Sequence, residues 1–359
     1  MRIFYWSIVR VRFMITRIKI DPEKFKIAVV GAGSWGTAIA DLLAGKGYPV
    51  SLWAFEKEVK NHIQKFHENK IFLPNHQLSP NISASNDLPA VVSDKNLVVV
   101  VVPSHVMRKV TEKMAGHLSA DIILISASKG IEQKTHLTMS GVIKESLPEV
   151  PEGRLAVISG PSFAKEVAQK MPTTVTVACK NSEIAAAVQH LFATPYFRVY
   201  RSDDIVGVEL GGSVKNVIAI AAGIVDGLEL GLNTRAALIT RGMTEIRRLG
   251  LNLGANPRTF TGLAGFGDLV LTCTGNLSRN YTVGIKLGRG KKLQEILAEM
   301  RMVAEGVKTA KSVYNFSRDI GVEMPICHEV YRILYEDVVP KEAVHRLMTR
   351  TLKEELDEE

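Results

Sequence analysis

Three features of the chain predict a doubly wound α/β N-terminal domain followed by an all-α C-terminal domain. A Gly-x-Gly-x-x-Gly turn sits between a short apolar run and a helical pattern within Lys26–Glu56. Apolar, β-branched runs then alternate with helical patterns as far as about residue 200, and beyond Arg201–Asp204 the strand patterns fade into long helical ones.

The opening element, KIAVVGAGSWGTAIADLLAGKGYPVSLWAFE, is the most specific. Gly31 permits the tight strand-to-helix turn, Gly33 lets the backbone approach a pyrophosphate, and Gly36 allows the helix to pack closely on the strand. The unpaired N–H groups of the helix start then face an anion. Val50–Ala54 supplies a second strand that ends near Phe55 and Glu56, where Rossmann-type folds place a carboxylate against a ribose. A glycine-rich turn without a ligand is the plain alternative, and the strand, helix and strand context argues against it.

Leu97–Val102, Asp121–Ser126, Leu155–Ser159 and Thr173–Ala178 continue the alternation, which predicts a mostly parallel sheet covered by helices. The polar-free run Val98–Val102 suits a central strand, stopped by Pro103, with its carboxyl end at the ligand crevice. Helical patterns follow at Ile205–Leu230, Arg235–Leu249 and Glu305–Arg318, with Ser202 or Asp203 as the entering cap. Gly211, Gly212, Gly223 and Gly227 interrupt the first of these, each at a cost of about 1 kcal/mol relative to alanine. Tight helix packing, or close approach of a backbone or cofactor, must compensate; for Gly211–Gly212, beside a lysine, the functional approach is favoured. The expected organisation is a poorly ordered extension over 1–23, a dinucleotide-binding domain over 24–202, a helical substrate domain over 203–350 and a solvated charged tail over 351–359. Catalysis belongs in the cleft between the two domains.

Composition narrows the partners. The net charge of +8 favours anionic ligands, but basic residues are dispersed among acids without aromatic interleaving, so small phosphorylated molecules fit better than nucleic acid. Cys179, Cys273 and Cys327 form no Cys-x-x-Cys pair and no disulfide framework, which points to a reducing cytoplasm. The nine histidines show no metal-ligand spacing, so no metal is expected, and no Gly-x-Ser-x-Gly elbow is present. Arg10, Arg12 and Arg17 break the apolar residues of the N-terminal extension, and no run is long enough for stable membrane insertion.

A nicotinamide enzyme that reduces a carbonyl needs a proton donor beside the oxygen. Lys215, in GGSVKN, is flanked by Val214, Val217 and Ile218; burial or a second cation would bring its pKa from about 10.4 toward neutrality. Lys129, in SASKG, directly follows an apolar strand and so points into the crevice, where an ammonium can meet a phosphate or a carbonyl; a solvated loop lysine is the alternative. In SGPSFAKE, Pro161 suits a first helical turn, and Ser162 either contacts a ligand or caps the helix. Asp268 and Thr272 lie one helical turn apart, so the carboxylate can orient a catalytic ammonium. Ser278 reads as an N-cap followed by Arg279 and Asn280. A cation at a helix start inverts the usual preference and makes sense if a phosphate docks there.

Together GAGSWGTA, VVVVVPSH, SASKGIE, SGPSFAKE, ELGGSVKN, GFGDLVLTC, SRNYTVG and VAEGVKTA resemble, in order and spacing, the bacterial-type NAD(P)-dependent glycerol-3-phosphate dehydrogenases, over Lys24 to about Leu347. The resemblance implies interconversion of sn-glycerol 3-phosphate and dihydroxyacetone phosphate with NAD or NADP by a cytoplasmic, homodimeric enzyme that feeds phospholipid synthesis. It implies cofactor contacts at Ser34, Trp35, Lys129, Ala164, Arg279, Val303 and Glu305. Substrate contacts fall at Lys129, Gly160, Ser162, Lys215, Asp268, Ser278, Arg279 and Asn280, with Lys215 as the acid/base. One departure bears on the cofactor: many relatives carry a basic residue after Leu-Trp-x, where this chain has Phe55 and Glu56, so NAD against NADP stays open, with Lys57 or Lys60 as alternative readers of a 2′-phosphate. A 6-phosphogluconate-type β-hydroxyacid dehydrogenase is the rival enzyme, against which the Asp268–Asn280 segment argues. A non-catalytic nicotinamide-binding sensor is the rival of another class, against which Lys129, Lys215, Asp268 and Arg279 together argue.

Overall fold

The computed structural model describes residues 24–300 and 304–355. The extension over 1–23, Val303 and the last four residues lie outside them, so the expectations placed there are not taken further.

Ten strands form in the described chain: β1 (Ile27–Val30), β2 (Val50–Trp53), β3 (Glu68–Asn69), β4 (Leu73–Gln77), β5 (Ile82–Ser85), β6 (Leu97–Val100), β7 (Ile123–Ser126), β8 (Leu155–Ser159), β9 (Thr173–Cys179) and β10 (Phe197–Ser202). Eight make one sheet in the order β10-β9-β8-β7-β6-β1-β2-β5, and β3 and β4 pair as a separate hairpin. Every neighbouring pair in the large sheet is parallel except β8 with β9. Residues of β1 and β6 alternate between two apolar clusters: Ile27, Val29, Leu97 and Val99 pack in one, Ala28, Val30, Val98 and Val100 in the other. A strand buried on both faces has no polar side, which is why these runs read as continuous valine and isoleucine. Strand β1 leads to β2 on one side and is flanked by β6 on the other. This reversal opens a crevice at the carboxyl ends of β1 and β6.

The C-terminal part is helical, around a cluster centred on Ile205–Gly227. Among the described residues this is the one helix long and apolar enough to cross a membrane, and 94% of its most apolar window is buried inside the protein. Its glycines make that burial possible. Gly223 and Gly227 meet Gly284 and Gly288 of the Arg279–Gly288 helix, where a Cβ at Gly223 would lie 2.9 Å from the Gly284 Cα. Tight helix packing therefore accounts for this pair.

Two expectations are corrected, at the helix cap and at Gly212. The cap of Ile205–Gly227 is Asp204, not Ser202 or Asp203: its carboxylate accepts from Gly207 N at 2.9 Å and also from Asn256 N and the Thr259 hydroxyl, because only the residue directly before the helix reaches its first turn. Gly211 has the close backbone approach expected of it, whereas Gly212 does not, and neither lines the cavity. A Cβ at Gly211 would meet the backbone of Ala264 and Gly265, and one at Gly212 would meet the Ser159 side chain. The described part of the tail, 351–355, is exposed as expected, with the Lys353 ammonium bonded to Glu323 at 2.8 Å and Arg241 donating to the Glu355 carbonyl.

Candidate active site

The glycine turn forms one end of a cavity of about 1030 Å³. Gly31 has φ +118°, and a Cβ there would strike the Val101 carbonyl; one at Gly36 would strike the Gly31 carbonyl, so helix and strand touch directly. Nothing lies within 4 Å of a Cβ built on Gly33, which opens onto the cavity. Gly33 is the N-cap of Ser34–Ala44 and has no side chain, so no capping group stands between that helix start and an anion. Ser34 and Trp35 stand on the same wall, with the Ser34 hydroxyl tied to the Phe72 carbonyl at 2.6 Å. Open space at Gly33 beside a helix start fits a dinucleotide pyrophosphate.

Phe55 and Glu56 line the cavity just beyond β2, Phe55 with 77% of its surface exposed. Lys57 and Lys60 do not line it, because the Lys57–Phe66 helix carries both away from this wall. Lys109 and Lys113 are among the cations that do line the cavity. Sequence reading passed over this pair, though a spacing of four residues in a helical pattern after the central strand was the available signal.

Elsewhere at the same cavity, which Lys129 and Lys215 line, three charged side chains meet. The Lys215 ammonium donates to Asp268 Oδ1 and, at 2.8 Å, to Thr272 Oγ1; Lys129 donates to Asp268 Oδ2 at 2.8 Å. The Thr272 hydroxyl in turn donates to the Asp268 carbonyl at 2.6 Å, one helical turn back, as their spacing requires. Asp268 is 1% and Lys215 5% exposed, so this is a buried two-cation, one-anion cluster. Burial brings the Lys215 pKa from 10.5 to about 7, helped by the Lys129 cation and opposed by Asp268. An ammonium has three donors, and two are directed at Asp268 and Thr272, with Lys215 itself on the cavity wall.

Ser278 caps the Arg279–Gly288 helix, its hydroxyl accepting from Tyr281 N at 3.3 Å, and Ser278, Arg279 and Asn280 all line the cavity. Asn280 Oδ1 accepts from Gly306 N at 2.9 Å, which joins that helix start to the Glu305–Asp319 helix. Glu305 and Ala164 also face the cavity.

The SGPSFAKE turn differs from expectation. Its helix begins at Ala164 after Phe163, so Pro161 precedes the first turn. Ser162, on the cavity wall, donates back to the Gly160 carbonyl at 2.9 Å instead of capping. Gly160 itself, at φ +146°, packs against Val175 and does not line the cavity.

Comparison with known proteins follows this geometry. Residues 26–185 match the family model for the NAD-dependent glycerol-3-phosphate dehydrogenase N-terminus and residues 204–345 that for its C-terminus. The chain is 56% identical over 331 residues to the NAD(P)-dependent glycerol-3-phosphate dehydrogenase of Syntrophobacter fumaroxidans, covering 92% of this chain and 97% of the relative. It is equally 56% identical over 330 residues to that of Geobacter sulfurreducens, covering 92% and 98%. The crystal structure of the glycerol-3-phosphate dehydrogenase of Coxiella burnetii superposes with a TM-score of 0.88 at 42% identity, covering 91% of this chain and 99% of that one. The chain therefore belongs to the NAD-dependent glycerol-3-phosphate dehydrogenase family.

Proposed function

We propose that this NAD(P)-dependent glycerol-3-phosphate dehydrogenase interconverts dihydroxyacetone phosphate and sn-glycerol 3-phosphate, with Lys215 as the proton donor and acceptor in a cleft between a dinucleotide unit, 24–202, and a helical unit, 203–350. The observation that carries the reading is the Lys215–Asp268–Lys129 cluster, with Asp268 and Lys215 buried and both lysines lining the same cavity as the glycine turn. The glycine turn, Trp35, Ala164 and Glu305 would hold the cofactor, which supplies a hydride to C2 of the substrate when bound. Lys215 gives a proton to the C2 oxygen, which would otherwise become an alkoxide. Asp268 and Thr272 hold the ammonium in place, while Lys129 adds positive charge near the developing oxyanion and lowers the proton affinity of Lys215. Arg279 and the helix start it occupies take the substrate phosphate, supported by Ser278 and Asn280. We propose further that the enzyme acts as a cytoplasmic homodimer supplying glycerol 3-phosphate for phospholipid synthesis, on the strength of the family resemblance. The test is a steady-state assay of dihydroxyacetone phosphate with each reduced cofactor. Turnover is expected, and its absence with both would contradict the reading.

The same assay reads cofactor preference. A carboxylate at Glu56 accepts from a ribose 2′-hydroxyl and repels a 2′-phosphate, so NADPH should be favoured over NADH by less than tenfold, or about 1.4 kcal/mol. Glu56→Gln should move the preference toward NADPH. A far larger NADPH preference, unmoved by that substitution, would assign the phosphate to Lys109 and Lys113, which line the same cavity.

A further inference from the structure

Ser104 follows the central strand β6 and Pro103, in the short turn Ser104–Val106. It is 5% exposed and stands behind the cavity wall that Pro103 and Val106 form. Its hydroxyl donates to Glu305 Oε2 at 2.7 Å, a bond between residues 201 positions apart. Glu305 opens the Glu305–Asp319 helix of the helical part, so this bond crosses from the sheet to the helices beside the cavity. A third element closes on the same point: Gly130, next to Lys129, has φ +153°, and a Cβ there would lie 2.6 Å from Ser104 Oγ and 3.7 Å from Glu305 Oε2. Gly130 N is held in turn by the Ser213 hydroxyl at 2.9 Å. Burial raises the Glu305 carboxyl above its ordinary range, and hydrogen bonding from Ser104, with the charges of Lys308 and Arg279, pulls it back. Ser104 bonds Glu305 through its backbone as well as its hydroxyl, and a buried carboxylate held in this way has a fixed orientation on the cavity wall, where its remaining lone pairs can accept from a bound group.

We propose that Ser104 is a positioning residue for cofactor binding, which holds the Glu305 carboxylate against the nicotinamide dinucleotide through the Ser104–Glu305 hydrogen bond. The proposal rests on the reading of this cavity as the NAD(P) site. Ser104 does not line the cavity and acts only through Glu305. Removing the hydroxyl therefore loosens Glu305 and weakens the binding of NADH and NADPH alike, while the proton-transfer cluster around Lys215 keeps its contacts.

The test is a fluorescence titration of NADH and NADPH into wild type, Ser104→Ala, Glu305→Ala and the double variant, alongside melting temperatures and the KM for dihydroxyacetone phosphate at saturating cofactor. Ser104→Ala should weaken both cofactors about tenfold, as for loss of a hydrogen bond to a charged group. It should leave the KM for dihydroxyacetone phosphate little changed, and it should have almost no effect on cofactor binding once Glu305 is alanine. Glu305→Asp keeps the charge but withdraws it from Ser104, so it should reproduce the Ser104→Ala loss, which guards against misreading a folding defect. Equal losses from Ser104→Ala in the wild-type and Glu305→Ala backgrounds, or no loss in wild type, would overturn the proposal. A wild-type protein that binds neither cofactor would instead overturn the reading of the cavity.

Discussion

Lys215→Ala should lower turnover by ~10²–10⁴-fold, the usual worth of a positioned general acid, while NADH and NADPH still bind. The expectation is strong because the ammonium is held by two partners, Asp268 and Thr272, and sits at the cavity wall with its pKa near neutrality. Alanine removes the proton donor and leaves Asp268 with Lys129 as its remaining cation, so a charge pair survives in the buried site. Stopped-flow or steady-state kinetics with dihydroxyacetone phosphate would measure the loss, and a cofactor titration would show that the dinucleotide end is intact. Near-normal turnover would remove Lys215 from the mechanism.

Arg279→Ala should raise the KM for dihydroxyacetone phosphate steeply, since a lost charge-assisted contact to a dianion costs about 1.5–3 kcal/mol. Unphosphorylated dihydroxyacetone never uses the contact, so its low rate should scarcely change. The physical ground is the position of Arg279 in the first turn of its helix, on the cavity wall, where a phosphate docked at the helix start would meet a cation. Equal losses for both substrates would show that Arg279 does not read the phosphate.

What the sequence disclosed and what it withheld follow from range. The sheet was legible because β1 and β6 are buried on both faces and so carry uninterrupted apolar runs. Lys215 stood out because a cation among valines and isoleucines is unusual, and Asp268 with Thr272 because a four-residue spacing puts them on one face. That Asp268 bridges Lys129 and Lys215 depends on contacts spanning 139 and 53 residues, which no local pattern encodes. Ser104 and Glu305 were invisible as a pair for the same reason. The glycines of Ile205–Gly227 were noticed as costly, but which of them face a helix, a loop or a side chain is a matter of packing geometry. Ser162 and Asp204 show the limit at single-residue scale, since a cap is decided by where the backbone enters the helix, and that boundary shifted by one or two positions.

The most direct test of the central claim, that a buried lysine exchanges the proton, is the pH dependence of kcat in both directions. Reduction of dihydroxyacetone phosphate needs Lys215 protonated and oxidation of glycerol 3-phosphate needs it neutral. With its pKa at about 7, the reductive rate should fall as pH rises through that value while the oxidative rate climbs through it. Profiles that are flat across this range in both directions, or that change in the same sense, would contradict the account.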